Sequence, residues 1–471
     1  MSAANLAQRA VGWISRKMRE RVPYDPSNLY LEGPFAPVAQ ELTDTQLVVE
    51  GQLPPQLNGL YLRIGPNPIK VDNPATYHWF VGDGMVHGLR LQDGAALWYR
   101  NRWVGSDKIC DARQQPRTPG PRRGISDVVN TNVFGHAGSI WAATEAGVYP
   151  VELTPELETI RYGYFNATAS LPFTAHPHAD PDTGELHAIC YDATNPRAVQ
   201  YVVIDQAGAL AHKTGIPVQH GPMIHDCAIT KSKVVVLDLP VTLSWKALFM
   251  GATFPYRWNP KHQARVGVMP KRGQGTEVQW WQVETCAVFH SCNAYDLDDG
   301  GLVMDVVVHS RMFATSTIGP EIGISGVTFE RWTMRPGNPK VERKVWSRQM
   351  QEFPRCDERL IGRPYRYAYT VGFGADTTQS YPLIRHDLQT GLVDFHDFGA
   401  QSIPGEFVFV PRPGGQAEDD GWLVGFVYRS AHDTSDFVVI DAQRITAPPV
   451  AVVHLPGRVP MGFHGNWVPM D

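Results

Sequence analysis

Two histidines, His176 and His178, stand two residues apart in the stretch FTAHPHAD at 173–180. On an extended chain, residues i and i+2 share a face, so the pair has the spacing of a two-pronged metal grip. Neutral imidazole is a common metal ligand, and three further histidines stand in similar surroundings. His225 lies in PMIHDCAIT, His290 in AVFHSCNAYD and His464 in MGFHGNWVP. Each follows an apolar run, as a residue at the inner end of a strand would. His176, His225, His290 and His464 are separated by 49, 65 and 174 residues, and no local motif such as HExxH joins them. A site built from them has to be assembled by the fold. A competing reading pairs HDC at 225–227 with HSC at 290–292 as a Cys₂His₂ zinc set. Structural zinc sites, however, use Cys-x₂₋₄-Cys or His-x₃₋₅-His spacing. Other chemistries lack their signatures: there is no GxSxG of a serine hydrolase, no GxGxxG and no GxxxxGK[ST] nucleotide loop.

The elements that must position such a site are strands. Runs at 139–153, 198–205, 233–240, 302–310, 422–430, 436–442 and 450–456 are β-branched, alternate with a period near two, and are bounded by turn residues. Between strands a turn signal recurs, as in LQDGAALWYR, PDTGELHAIC, LDDGGLVMDV, LQTGLVDFHD and EDDGWLVGFV, which is what hairpins require. Helical periodicity is scarce beyond the first 22 residues, so the chain reads as all-β. With 471 residues and this many strands, a sandwich or single barrel is overfilled. A β-propeller instead adds blades radially and leaves no long edges. Neither a WD dipeptide nor a kelch pattern recurs at fixed period. QQPRTPGPRRG at 114–124 reads as an exposed loop within the domain.

Net charge is −5, which gives bulk nucleic-acid binding no electrostatic support. The six cysteines form no CxxC and no regular framework, and no signal peptide is visible; together these suit a reducing cytoplasm. No run approaches the ~18–20 apolar residues of a spanning helix. Two segments break the β pattern. Residues 6–22 place Leu6, Val11, Trp13, Ile14 and Met18 among Arg9, Arg16, Lys17, Arg19 and Arg21, an amphipathic basic helix that suits either an anionic membrane surface or a solvated terminal helix packed on the domain. Residues 242–258, rich in large apolar side chains and cations, suit either a loop dipping into lipid or a helix over the domain face.

The ordered set NGLYLRIGPNP (58–68), HWFVGDGMVHGLRL (78–91), TAHPHAD, MIHDCAIT, VFHSCNAYD, GEFVFVPRPG (405–414) and LPGRVPMGFHGNWVP (455–469) resembles the carotenoid cleavage oxygenase family of non-haem iron enzymes. The resemblance runs from about residue 28 to the end, leaving 1–27 as the basic N-terminal segment. It implies a seven-bladed β-propeller with a dome of loops and short helices over an axial metal site. It implies one Fe(II), held by His176, His225, His290 and His464, with His178 a dispensable neighbour in the turn. Glu145, Glu352 and Glu406 match three glutamates that orient His225, His290 and His464 respectively. A carboxylate accepting the second ring N–H would fix tautomer and raise ligand basicity. Thr131 in VVNTNVF matches a residue that crowds one open metal position and leaves the other for O₂.

The implied reaction is oxidative cleavage of an electron-rich C=C by O₂ into two carbonyl products, with no general base or covalent nucleophile. Family substrates are carotenoids and apocarotenals, or, in a bacterial branch, phenolic stilbenes and related phenylpropenes. YRNRWV (99–104) and RWNPKHQARVGVMPKRGQG (257–275) look like bacterial members. The phenolic branch carries a lysine immediately before the first of the three glutamates; here that position is Thr144. The departure favours a long apolar polyene over a stilbene. Phe80, Trp103, Phe134, Phe173 and Phe289 are candidates for a tunnel wall, although aromatics near strand ends more often fill the core.

Overall fold

Short turns generate the architecture. Asp93 and Gly94 both have positive φ, 49° and 77°, the type I′ geometry that matches the twist of the flanking strands. They join Gly84–Gln92 to Ala95–Trp103, with Gln92 opposite Ala95 and one register shift between Arg90 and Leu91. Ala137 and Gly138 do the same between Asn132–His136 and Ser139–Ala143. The computed structural model describes residues 12–124, 126–321, 326–374, 376 and 378–470. Among them, such hairpins build seven antiparallel sheets of four or five strands and one two-stranded ribbon. The sheets are the blades of a β-propeller.

Blades are numbered here by the innermost strand: Gly465–Pro469 in blade 1, Asn132–His136 in blade 2 and His178–Ala179 in blade 3. Cys227–Ile229, Ala287–Asp296, Gln351–Arg355 and Ser402–Pro411 follow in blades 4 to 7. The ring closes by exchange between chain ends. The C-terminal strand Gly465–Pro469 pairs with Gly59–Pro66 to complete blade 1. Near the N-terminus, Leu42–Asp44 edges blade 1 and Val48–Gly51 edges blade 7. Unfastening either end would expose unpaired strand edges, so both termini of the propeller are tied down.

The core lies between blades. Val235 and Val266 of blade 4 pack with Met304 and Trp332 of blade 5, all fully buried; equivalent clusters join the other neighbours. The seven expected strand runs are present with boundaries shifted by a residue or two, with one correction. Residues 139–153 are not one strand but two, Ser139–Ala143 and Val151–Leu153. Ala146 and Gly147 adopt positive φ, 59° and 99°, and turn the chain at Glu145. Residues 242–258 form the ribbon Val241–Leu243 and Tyr256–Trp258 with the short helix Trp245–Phe249 between them. Of the segment 6–22, residues 12–19 are helical and 6–11 lie outside the described residues. No helix among the described residues is long and apolar enough to cross a membrane.

Candidate metal centre

Every blade sends one residue from its innermost strand, or from the residues leading into it, toward the axis. Blades 1, 3, 4 and 5 send His464, His176, His225 and His290; blades 2, 6 and 7 send Thr131, Glu352 and Glu406. All seven are buried. Three of them depend on interrupted ladders. The register slips between Val288 and Ser291, between Glu352 and Arg355, and between Pro404 and Phe407. A bulge bends the strand and re-aims a side chain, and here the slips flank His290, Glu352 and Glu406. Phe353 beside Glu352 has φ 54°, an uncommon left-handed conformation for a bulky residue.

One ligand atom from each of His176, His225, His290 and His464 lies within 4.8 Å of all the others. The Nε2 atoms of His225 and His290 face each other at 3.3 Å. Two imidazole nitrogens at right angles on a metal ~2.1 Å away would be about 3 Å apart, so the spacing fits. His176 Nε2 is buried and has no hydrogen-bond partner, a cost that a bound cation would remove. Burial, and then the neighbouring imidazoles of His225, His464 and His290, hold the His176 ring well below the usual histidine range. It is therefore neutral and free to coordinate.

The outer ring nitrogens meet carboxylates. His290 Nδ1 is 2.6 Å from Glu352 Oε2, and His464 Nδ1 is 3.1 Å from Glu406 Oε1. His225 Nδ1 approaches Glu145 Oε1 at 2.5 Å, close enough for an ion pair but off the hydrogen-bonding direction of the ring N–H. Burial alone would raise the Glu352 and Glu406 carboxyls. The charges and hydrogen bonds of His290 and His309 for Glu352, and of Arg355 and His464 for Glu406, outweigh it and hold both well below the usual range. Thr131 Oγ1 donates to Asn130 Oδ1 at 2.9 Å and lies 3.1 Å from Thr144 Oγ1.

Several partners carried no signal in the sequence. His309 Nε2 meets Glu352 Oε1 at 2.7 Å, and Tyr191 donates to Glu145 Oε2 at 2.8 Å. Arg355 Nε donates to Glu406 Oε1 at 2.8 Å. Each of the three sits on a different blade from the glutamate it touches, which no spacing rule could anticipate. Two sequence readings are corrected. The Cys₂His₂ set does not form: Cys227 Sγ turns toward the His176 carbonyl, and Cys292 packs with Cys356. All six cysteines are free and buried. His178 is no loose turn residue either; it opens the inner strand of blade 3, and its Nε2 lies 2.8 Å from Asp226 Oδ1.

A cavity of about 290 Å³ reaches from the dome to His225, His290 and His464. Its wall is mainly apolar, with Phe80, Phe254, Phe289 and Phe463 prominent, and Thr131 and Thr144 lie on it. Of the five candidate tunnel aromatics, Phe80 and Phe289 line this cavity. Trp103 and Phe173 are core residues, and Phe134 borders a separate cavity of about 230 Å³ on the other side of the histidines.

A seven-bladed propeller with four convergent imidazoles that could hold a metal ion, three of them at the foot of an apolar cavity, is the architecture of a family of metalloenzymes that act on apolar small molecules. The family model described as retinal pigment epithelial membrane protein matches residues 35–469. The chain belongs to that family, the carotenoid cleavage oxygenases, and is an oxygenase directed at C=C bonds. A Mycobacterium tuberculosis carotenoid cleavage oxygenase is 42% identical over 94% of this chain and 98% of its own. Among solved structures, the Pseudomonas brassicacearum lignostilbene dioxygenase has a TM-score of 0.84 at 26% identity, covering 95% of this chain and 100% of its own. A Synechocystis apocarotenoid oxygenase variant has 0.83 at 26% identity, covering 95% and 99%.

Proposed function

We propose that this protein is an Fe(II)-dependent dioxygenase that cleaves one C=C bond of a carotenoid or apocarotenoid with O₂, giving two carbonyl products. The observation that carries the substrate reading is the apolar cavity whose position beside Glu145 is Thr144, with no cation there to hold a phenolate. His176, His225, His290 and His464 would hold the iron, and Glu145, Glu352 and Glu406 would orient the last three. Bound iron with four neutral imidazoles supplies the activation of O₂ that a closed-shell polyene does not provide by itself.

The chain's own residues do the rest. Phe80, Phe254, Phe289 and Phe463 exclude water and hold a flat polyene against the histidines. The Thr131 hydroxyl bonds to Asn130 and lies against Thr144, on the cavity wall. Its side chain would crowd one approach to a bound iron and leave another for O₂. No side chain is asked to abstract a proton or form a covalent bond. Residues 28–471 act as one propeller domain, with 1–27 as an appended segment.

Peripheral contact with a lipid surface, from the cytoplasmic side, belongs to the same reading. Trp13, Ile14, Trp245, Phe249 and Met250 are exposed, Trp245 by 51%. Arg19 Nε donates to the Gly251 carbonyl at 3.0 Å, tying the two segments together, while Thr253 and Phe254 line the cavity. An apolar patch beside the cavity suits a substrate dissolved in lipid. The test is anaerobic loading with Fe(II), then incubation with β-apo-8′-carotenal or resveratrol under O₂. Aldehyde products from the apocarotenal alone are expected. Cleavage of resveratrol alone would replace the polyene reading with the stilbene one, and no cleavage of either would overturn both.

A further inference from the structure

Three of the four histidines are followed, one or two residues on, by a group that converges on a single buried carboxylate. Asp226, next to His225, is 4% exposed. Its Oδ1 accepts from Cys227 N at 2.7 Å and lies 2.8 Å from His178 Nε2. Its Oδ2 accepts from Ser291 N at 2.7 Å and meets Ser291 Oγ at 2.8 Å. The Ser291 hydroxyl also lies 2.7 Å from the Cys227 carbonyl, so its one proton serves two acceptors. His178 belongs to blade 3 with His176, Cys227 to blade 4 with His225, and Ser291 to blade 5 with His290. Four donors fill the acceptor sites of one carboxylate. His178, Asp226 and Ser291 line the second cavity, on the side of the histidines away from the apolar one.

We propose that Asp226 is a positioning residue for the metal centre: it clamps the inner strands of blades 3, 4 and 5 and thereby sets the angles among His176, His225 and His290. The inference rests on the four-histidine reading. Glu145, Glu352 and Glu406 each address one of the four converging rings. Asp226 touches none of the four rings and acts on the backbone and near neighbours of three of them at once. Ser291 sits where the blade 5 ladder slips, so its N–H is released from sheet pairing and available to Asp226. His178, which spacing alone made a candidate ligand, becomes the clamp's contact with blade 3.

Asp226→Asn is the informative variant. It keeps shape, yet in either amide orientation its NH₂ faces a backbone N–H, that of Cys227 or that of Ser291. Metal-free protein is titrated with Co(II) against a competing chelator, and the visible absorption bands of the Co(II) form are recorded. A 10- to 100-fold loss of Co(II) affinity with shifted bands is expected, the size seen when outer partners of metal ligands are removed. A purely structural residue would lower the unfolding midpoint while leaving the bands of the folded fraction in place. Unchanged bands and an affinity within twofold would overturn the proposal. Should Asp226→Asn not fold, Ser291→Ala removes only the hydroxyl contact, and a smaller band shift is expected; identical spectra would again overturn it. His464→Ala, which lies outside the clamp, separately tests the reading beneath: it must abolish tight Co(II) binding, and if it does not, the four-histidine site itself fails.

Discussion

Replacing Glu352 by Gln tests how far one carboxylate sets the centre. Glu352 accepts from His290 Nδ1 at 2.6 Å through Oε2 and from His309 Nε2 at 2.7 Å through Oε1, and also takes the Phe353 N–H at 2.8 Å. Glutamine has the same size but only one acceptor oxygen, so its NH₂ must face one of the two imidazoles. If the oxygen stays on His290, a charge-assisted bond of about 1.5–3 kcal/mol becomes a neutral one of about 0.5–1.5 kcal/mol. If the NH₂ takes that place, the whole contribution is lost and His290 is no longer held in the tautomer that presents Nε2. The cost to metal binding is then about 1–3 kcal/mol, or roughly 10- to 100-fold in affinity. Anaerobic titration of metal-free Glu352→Gln with Fe(II) against a chelator measures it directly. A urea midpoint on the same sample separates loss of binding from loss of folding. Wild-type affinity within twofold would refute the argument that this carboxylate orients His290.

Three further outcomes follow from the same geometry. His176→Ala removes an imidazole whose Nε2 is buried and unpartnered among the converging histidines, and elemental analysis of the purified protein is expected to show iron reduced to background. His87, His187 and His386 are held by burial to pKa values of about 3, 3 and 4, with Arg63 adding to the effect at His87 and Lys271 at His187. Because the unfolded chain binds these protons near pH 6.5 and the folded chain does not, stability is full above 6.5 and falls as pH drops toward 3–4. The slope is about 1.4 kcal/mol per pH unit for each histidine, read from urea midpoints of metal-free protein at pH 7.5 and 5; a flat profile would contradict it. Met304→Ala empties a fully buried site between blades 4 and 5 and should cost about 2–5 kcal/mol in chemical denaturation while leaving metal affinity unchanged.

Strand rhythm, turn chemistry and the apolar-run-then-histidine pattern were local properties, and they were legible. The Asp93–Gly94 hairpin follows from residue type alone, because a type I′ turn selects residues tolerant of positive φ. The family motifs then singled out His176, His225, His290 and His464, which the propeller does bring together. Periodicity was misleading at 139–153, where a turn at Ala146 and Gly147 interrupts an apolar run. That turn places Glu145 beside His225.

Other features were set only by closure of the ring. Which faces of neighbouring blades meet depends on blade number and twist, not on spacing along the chain. So the partnership of Arg355 with Glu406, of His309 with Glu352, and of Asp226 with Ser291 and His178 could not be read from any one segment. The bulges that aim His290, Glu352 and Glu406 are likewise register slips, and they exist only once a strand has a partner to slip against. The chain by itself determined which residues are able to bind a metal. The closed propeller decided which of them share one centre, because only the axis brings strands from separate blades within a few ångströms of each other.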